Sequence, residues 1–508
     1  RQGRQGRQEV MRAWTFTTLA GLALAGAAAL GAQPRPAEAP RRGLPAFTDT
    51  LRMPAGRPVT FQRIYQQVAA NHPVARQARL IEDGAQGDLT AAWGNFEPKF
   101  SATWETKRFG SSNTLYYSYA DVGLKIPTPI GADFKVGYER AVGTFINPQL
   151  TTPAQGLVYA GFSLPLGQRL ITDERRNALR VARALRDVAA AERQGLVNKL
   201  LFSAAKSYAT WYEAALRLSV QQEGVRLAEQ RYRALVGRVL AGDAAGIDSI
   251  EADAERNRRL AALVGAEQDY FAAARDLESF LWDARGTPED LPLDAVPSDS
   301  GLVREVVDSA AVPRLLAQAL RLHPDIRKAD GKAEQAEADR LLAVQQIFPL
   351  VSADVAALAP RGDGFALGPS FRREQEYKAA LSAETPLLFF KERGKFRSTD
   401  AKFDRARIDQ AVARRDVGLL FRTAINDLAQ FERQLDLQAR AVQLFGILSV
   451  GERARFDLGE STLFLVNARE RSLLDEQAKL VALRSKYFAA RAALAVAAGL
   501  PGRLAAAP

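Results

Sequence analysis

Val197-Asn-Lys-Leu-Leu-Phe-Ser-Ala-Ala-Lys-Ser-Tyr-Ala-Thr-Trp-Tyr-Glu-Ala-Ala-Leu-Arg-Leu218 is the stretch whose period decides the fold. Its packing residues Leu201, Ala204, Tyr208, Trp211, Ala215 and Leu218 alternate steps of three and four, the seam of a coiled-coil helix. No proline occurs between Asp173 and Asp283. A helix from Arg175 to Leu240 would therefore run about 100 Å, far beyond the usual length in a compact domain. A second stretch, Lys395 to Leu458, carries a similar stripe at Leu420, Ala424, Leu428, Phe431 and Leu435. Such helices cannot bury their stripes alone, so they need neighbours from the same chain or from copies of it.

Outward from the first helix, Gly242 and Gly246 allow a tight reversal into a second helix from Ile247 to Trp282. Gly286 to Pro313 reads as a connector rich in Pro and Asp. Upstream, a helix starts near Thr60, breaks at Asn71-His72-Pro73 and continues to about Asn95. After Pro98 the period changes to two. Phe100, Ala102 and Trp104 form one alternating strand, and Ala120, Val122, Leu124 and Ile126 a second. Ala132, Phe134, Val136 and Tyr138 form a third, and Val158, Ala160, Phe162 and Leu164 a fourth.

The same programme then recurs. Leu322-His323-Pro324 matches Asn71-His72-Pro73, Gly459 matches Gly242, and Tyr487-Phe488 matches Tyr270-Phe271. Only two strands fit the second half: Val351 to Ala357 and Tyr377 to Ala383. The chain thus reads as an internal duplication, with one extra hairpin in the first unit.

The other end of the chain concerns export. Met11-Arg12 opens a short basic region, followed by Leu19-Ala-Gly-Leu-Ala-Leu-Ala-Gly-Ala-Ala-Ala-Leu30 and a small residue, Ala32. That is the architecture of a secretory signal peptide cleaved before Gln33, with residues 1–10 upstream of the initiator. Residues 1–32 are read as lead plus signal peptide and 33–59 as a disordered linker. Residues 60–312 are read as the first repeat and 313–508 as the second. No other apolar run is long enough for a spanning helix, so a membrane role would use a β-barrel. Tyr116, Tyr117, Tyr119, Tyr138, Tyr159 and Phe162 would supply aromatics at its interfaces.

Composition excludes several classes. The chain has no cysteine, hence neither disulfides nor a thiolate zinc site. Its two histidines, each before a proline, read as helix breaks rather than metal ligands. There is no phosphate loop, nucleophile elbow or zinc-helix motif, so nothing points to an enzyme or a cofactor. The formal charge of +11 raises nucleic acid as a partner. Yet basic residues such as Arg175-Arg176 and Arg258-Arg259 alternate with acidic ones, the pattern of solvated helix faces.

With these features in place, the chain resembles the TolC-like outer-membrane efflux factors over essentially everything after the signal peptide. The sharpest carriers are two pentapeptides at matching places, Arg238-Val239-Leu240-Ala241-Gly242 and Arg455-Phe456-Asp457-Leu458-Gly459. The resemblance implies a mainly α fold with a membrane β-barrel: three protomers, two repeats each, sharing one β-barrel continued by a periplasmic α-helical barrel. The familiar barrel has two strands per repeat, so the hairpin around Pro127 to Gly131 is a departure. Implied partners are a periplasmic adaptor, an inner-membrane transporter and outer-membrane lipid, for efflux or type I secretion. Arg238, Val239, Gly242, Arg455, Phe456 and Gly459 would form the adaptor-docking tips. In some family members carboxylates after the second tip line the pore entrance. Here those positions hold Phe464 and Asn467, whereas the acidic pair, Asp248 and Glu251, lies in the first repeat. All four are taken as gate candidates, and the two acidic residues also suit a helix N-terminus. The rival reading is a periplasmic coiled-coil scaffold or adaptor without a pore, which has no need of alternating strands.

Overall fold

A computed structural model describes residues 53–109, 114–298, 310–362 and 376–499. The segment read as a signal peptide, residues 11–32, lies outside the described residues. In chain order the elements are β1 (Arg57–Val59), α1 (Phe61–Asn71), α2 (Pro73–Gly94), β2 (Lys99–Phe109), β3 (Thr114–Pro127), β4 (Asp133–Val142) and β5 (Leu157–Pro165). They continue as α3 (Glu174–Leu240), α4 (Gly246–Glu278), β6 (Ala295–Pro297), α5 (Val312–Leu322), α6 (Pro324–Gln345), β7 (Leu350–Pro360), β8 (Glu376–Glu384), α7 (Phe390–Asp457) and α8 (Leu463–Ala497).

The long helices are as the period requires: α3 has 67 residues and α7 has 68. Each is flanked by two shorter helices laid along it in succession. Helix α3 packs on α2 and then α4, while α6 and then α8 pack against both α3 and α7. The first hairpin's return helix ends at Glu278 rather than Trp282. The seam on α3 is buried throughout: Tyr208, Trp211 and Ala215 are fully covered and Leu201, Ala204 and Leu218 nearly so. On α7 the stripe buries Ala424, Leu428 and Leu435 as expected and half-buries Phe431, but departs at its first member. Leu420 is 48 % exposed, and its neighbour Phe421 is buried instead. Val417, Phe421, Ala424 and Leu428 follow at steps of four and three, and Leu435 and Val442 continue the stripe at one heptad each.

The main apolar core lies at mid-length of α3, where Tyr208 and Trp211 meet Phe61, Leu277 and Phe488. Residues 57–59, expected to belong to the disordered linker, instead form β1 and pair in parallel with β6 from the connector. Tyr208 fixes this small sheet: its hydroxyl donates to the Val59 carbonyl at 2.9 Å and accepts from the Ser298 N–H at 3.0 Å.

Both histidines sit at helix breaks and do more than break them. His72 Nδ1 accepts the Val74 N–H at 3.1 Å and His323 Nδ1 accepts the Asp325 N–H at 3.3 Å, so each imidazole caps the following helix. Accepting at Nδ1 requires the unprotonated nitrogen. Burial holds both pKa values below the ordinary 6.5, with Asp325 partly opposing it at His323. The stabilisation therefore exists above the unfolded value and is lost as pH falls through the depressed folded one. Thermal unfolding is expected at lower temperature at pH 5 than at pH 7.5. His72→Asn with His323→Asn, which keeps both caps, should flatten that dependence; parallel pH curves for the two proteins would contradict it.

The remaining strands form one antiparallel sheet in the order β2-β3-β4-β5-β7-β8. The extra hairpin is part of it, with Gly123 opposite Gly137 and Lys125 opposite Lys135. The register carries most apolar residues of the six strands onto one face, for example Phe100, Leu124, Val136, Ala160, Ala357 and Tyr377 along one row, with Leu157, Leu350 and Leu358 on the other. The opposite face is mostly polar. There Tyr159 lies over Gly123 and Gly137, where an added Cβ would come within 2.6 Å of its hydroxyl, and bonds Asp121 at 3.2 Å. Tyr119 bonds Glu139 at 3.2 Å on that face. These two tyrosines therefore do not join the apolar side as interfacial aromatics. The sheet is open, with β2 and β8 as its edges.

Candidate functional site

The two glycine tips are built alike. At the first, the Asp243 N–H donates to the Arg238 carbonyl at 2.8 Å and the Gly242 N–H to Val239 at 3.0 Å. At the second, the Glu460 N–H donates to Arg455 at 2.8 Å and the Gly459 N–H to Phe456 at 3.0 Å. Both glycines have φ of 80°. This six-to-one and five-to-two pair of bonds is the Schellman cap, which needs a left-handed residue after the helix. The pentapeptides are thus capping sequences, with Val239 and Phe456 half-buried and the other side chains outside. Arg238 and Arg455 are exposed, and Leu240 and Leu458 are 83 % and 76 % exposed. The sequence reading did not single out these two leucines, whose exposure no spacing encodes.

The tips lie at one end of the bundle. Tyr232 and Leu235 of α3, Ala252 of α4, Phe456 of α7 and Leu463 of α8 form a single small apolar cluster. Arg238 and Phe456, one from each tip, line a common groove of about 270 Å³. Of the gate candidates, Asp248 and Glu251 are half-buried in the first turns of α4, and Phe464 is 63 % exposed at the start of α8. Asn467 does not join them. It is 2 % exposed and accepts a hydrogen bond from Arg231 Nη1 at 2.6 Å, inside the helix packing. It is a poor gate residue for that reason.

Asn467 belongs to a charged network that joins all four helices behind the tips. Glu470 of α8, 3 % exposed, receives Arg231 of α3, Arg259 of α4 at 3.2 Å and Arg453 of α7 at 2.6 Å. Arg259 also donates to Glu255 at 2.9 Å and to the Gly224 carbonyl at 3.2 Å. Arg258 and Arg471 complete the surroundings of Glu255. Burial pushes the Glu255 pKa up, but the hydrogen bonds and charges of Arg259 and Arg258 outweigh this and hold it below the usual value. Arg259, expected on a solvated face, is 4 % exposed. The available signal was positional: Ala252, Glu255, Arg259, Ala266, Ala273 and Leu277 share the buried stripe of α4.

No family model matches the chain, and no curated protein matches it in sequence. Solved structures do match it in fold. The open state of the Neisseria gonorrhoeae MtrE outer-membrane channel aligns over 91 % of this chain and 98 % of its own, with TM-score 0.62 and 17 % identity. The Vibrio cholerae outer-membrane protein VceC aligns over 86 % of this chain and 96 % of its own, with TM-score 0.59 and 17 % identity. The Campylobacter jejuni CmeC outer-membrane channel aligns over 86 % and 85 %, with TM-score 0.58 and 12 % identity. The chain has the fold of the TolC-like outer-membrane channels.

Proposed function

We propose that the protein is the outer-membrane channel of a tripartite efflux pump or type I secretion machine, a passive gated duct and not an enzyme. The observation that carries this is the six-stranded sheet with one continuous apolar face, joined to hairpins of α3 and α7. No helix among the described residues is long and apolar enough to cross a membrane, and the sheet supplies the lipid-facing surface that such a channel needs. Three copies, each a duplicated unit, would share a β-barrel in the outer membrane and a helical barrel in the periplasm. Support for neighbours along the helices comes from Val412, Leu419, Leu437 and Leu444 of α7, all exposed on one chain. A pore-free scaffold would leave the apolar sheet face unexplained. A heat-modifiable trimer extracted from outer membranes tests the reading, and a soluble periplasmic protein would refute it.

The tips would receive a periplasmic adaptor that couples the duct to an inner-membrane transporter. Arg238 and Arg455 suit such a contact, since Arg is enriched in hot spots, and the exposed Leu240 and Leu458 beside them offer apolar surface to bury. Reversing charge at Arg238 and Arg455 is expected to abolish export while the trimer still assembles. Export surviving both changes would refute docking there.

Asp248 and Glu251, with Phe464 near the second tip, would line the entrance. Three-fold symmetry would gather six carboxylates around one axis, attracting cations and binding divalent ions. Asp248→Asn with Glu251→Gln should therefore lower cation selectivity and divalent block in single-channel recordings. Unchanged currents would leave the pair as helix-start residues.

A further inference from the structure

The open edges of the sheet carry complementary sequences. Both edges also leave large apolar residues uncovered in a single copy. Phe100 and Trp104 of β2 are 72 % and 71 % exposed, and Tyr377 and Leu381 of β8 are 71 % and 74 %. Apolar residues on the inner strands of the same face, such as Val122 and Val136, are 40 % and 42 % exposed. The edge residues lack a strand on one side.

We infer that β2 of one copy pairs with β8 of the next, in one defined register, so that the extra hairpin enters the wall and three copies close an eighteen-stranded barrel. The inference rests on the three-copy reading above and goes beyond the twelve strands that the family resemblance implies. Because each copy contributes six strands, all antiparallel, β2 and β8 run in opposite directions and their edges meet antiparallel under rotation.

The polar face selects the register. Along β2 it presents Lys99, Ser101, Thr103, Glu105 and Lys107; along β8, read backwards, Glu384, Ser382, Ala380, Lys378 and Glu376. Placing Lys99 opposite Glu384 gives Lys–Glu, Ser–Ser, Thr–Ala, Glu–Lys and Lys–Glu. All three charged pairs are opposite in sign. On the apolar face the same register sets Phe100 against Ala383, Ala102 against Leu381 and Trp104 against Ala379, large against small each time. Opposite charges and matched sizes are the cross-strand pairs that stabilise a sheet. A slip of two residues one way puts Glu105 against Glu376, and the other way Lys107 against Lys378. A slip of one puts apolar against polar faces.

The tilt agrees independently. The row through Lys99 enters β8 at Lys378, and Glu384 lies six residues further on. Seating the next Lys99 on Glu384 therefore shifts the register by six residues over six strands, one per strand. With strand spacing near 4.7 Å and a rise near 3.3 Å, that is a tilt of about 35°, within the range of membrane barrels. Eighteen strands at this tilt enclose a barrel about 33 Å across between strand axes, against about 22 Å for twelve. Side chains from all six strands, among them Thr103, Asp121, Glu139, Tyr159, Asp354 and Lys378, already line one hollow of about 600 Å³. The lumen would be wide, aqueous and of mixed charge, suited to large polar cargo.

The native chain has no cysteine, so the seam can be tested by disulfide. Thr103→Cys with Ala380→Cys, oxidised in membranes, is expected to give covalent dimers and trimers that revert on reduction. Thr103→Cys with Ser382→Cys, offset by two residues, should give at least tenfold less. Glu105→Lys should lower the temperature at which the trimer dissociates, and adding Lys378→Glu should restore it. An intact trimer with no cross-link, a disulfide within one chain, or no rescue by the charge swap would overturn the seam while leaving the channel reading standing. A monomer in mild detergent would instead overturn the three-copy reading on which the seam depends.

Discussion

Replacing Glu470 by alanine is expected to destabilise the protein by about 3–5 kcal/mol, the cost of removing one partner from a buried ion pair. Glu470 is 3 % exposed and takes charged hydrogen bonds from Arg231, Arg259 and Arg453 on three different helices. Its loss leaves Arg259, itself 4 % exposed, with Glu255 as its remaining carboxylate partner. Glu470→Gln keeps the shape and part of the hydrogen bonding, so it should cost less. Denaturant unfolding of the purified protein measures both. A loss under 1 kcal/mol for Glu470→Ala would mean that water screens the cluster and that these charges do not hold the two hairpins together.

Trp211→Ala should cost about 3–5 kcal/mol, as large aromatic truncations in a packed core do. Trp211 is fully buried at mid-length of α3. Its ring lies 5.9 Å from Tyr208 and stacks on Tyr270 at 6.4 Å. The side chain thus joins α3 to α4 beside the small sheet of β1 and β6. Trp211→Phe, which keeps most of the apolar volume, is expected to recover more than half of the loss. Equal costs for the two variants would place the stability elsewhere than in packing volume.

Helix α3 was legible because its stripe obeys one period over many turns and each member is large or small apolar. Helix α7 was legible at Ala424, Leu428 and Leu435 but not at the first member of its stripe. Leu420 and Phe421 are adjacent, both apolar, and only packing against α6 and α8 decides which turns inward. The strands were legible because alternation survives in all six, including the extra hairpin. Strands β1 and β6 were not, since three residues with proline in each carry no period. The histidine breaks could be read from the prolines beside them, but the Nδ1 caps depend on a ring orientation that no spacing encodes. The Glu470 network was hidden because buried and solvated i to i+4 ion pairs look alike in a sequence. Only the position of Glu255 and Arg259 on an apolar stripe distinguished them. At the tips the pentapeptides do end their helices, whereas Asn467 is buried in the helix packing. It follows Val466 on the inward face of α8, and that inward phase is set by the partner helices.

A channel of this kind should conduct ions. Purified protein added to a planar lipid bilayer should produce discrete, stepwise increases in current, each from one inserted channel, with sustained conductance between steps. A bilayer that stays silent although the protein is shown to have inserted would contradict the claim and leave a membrane-bound scaffold without a pore.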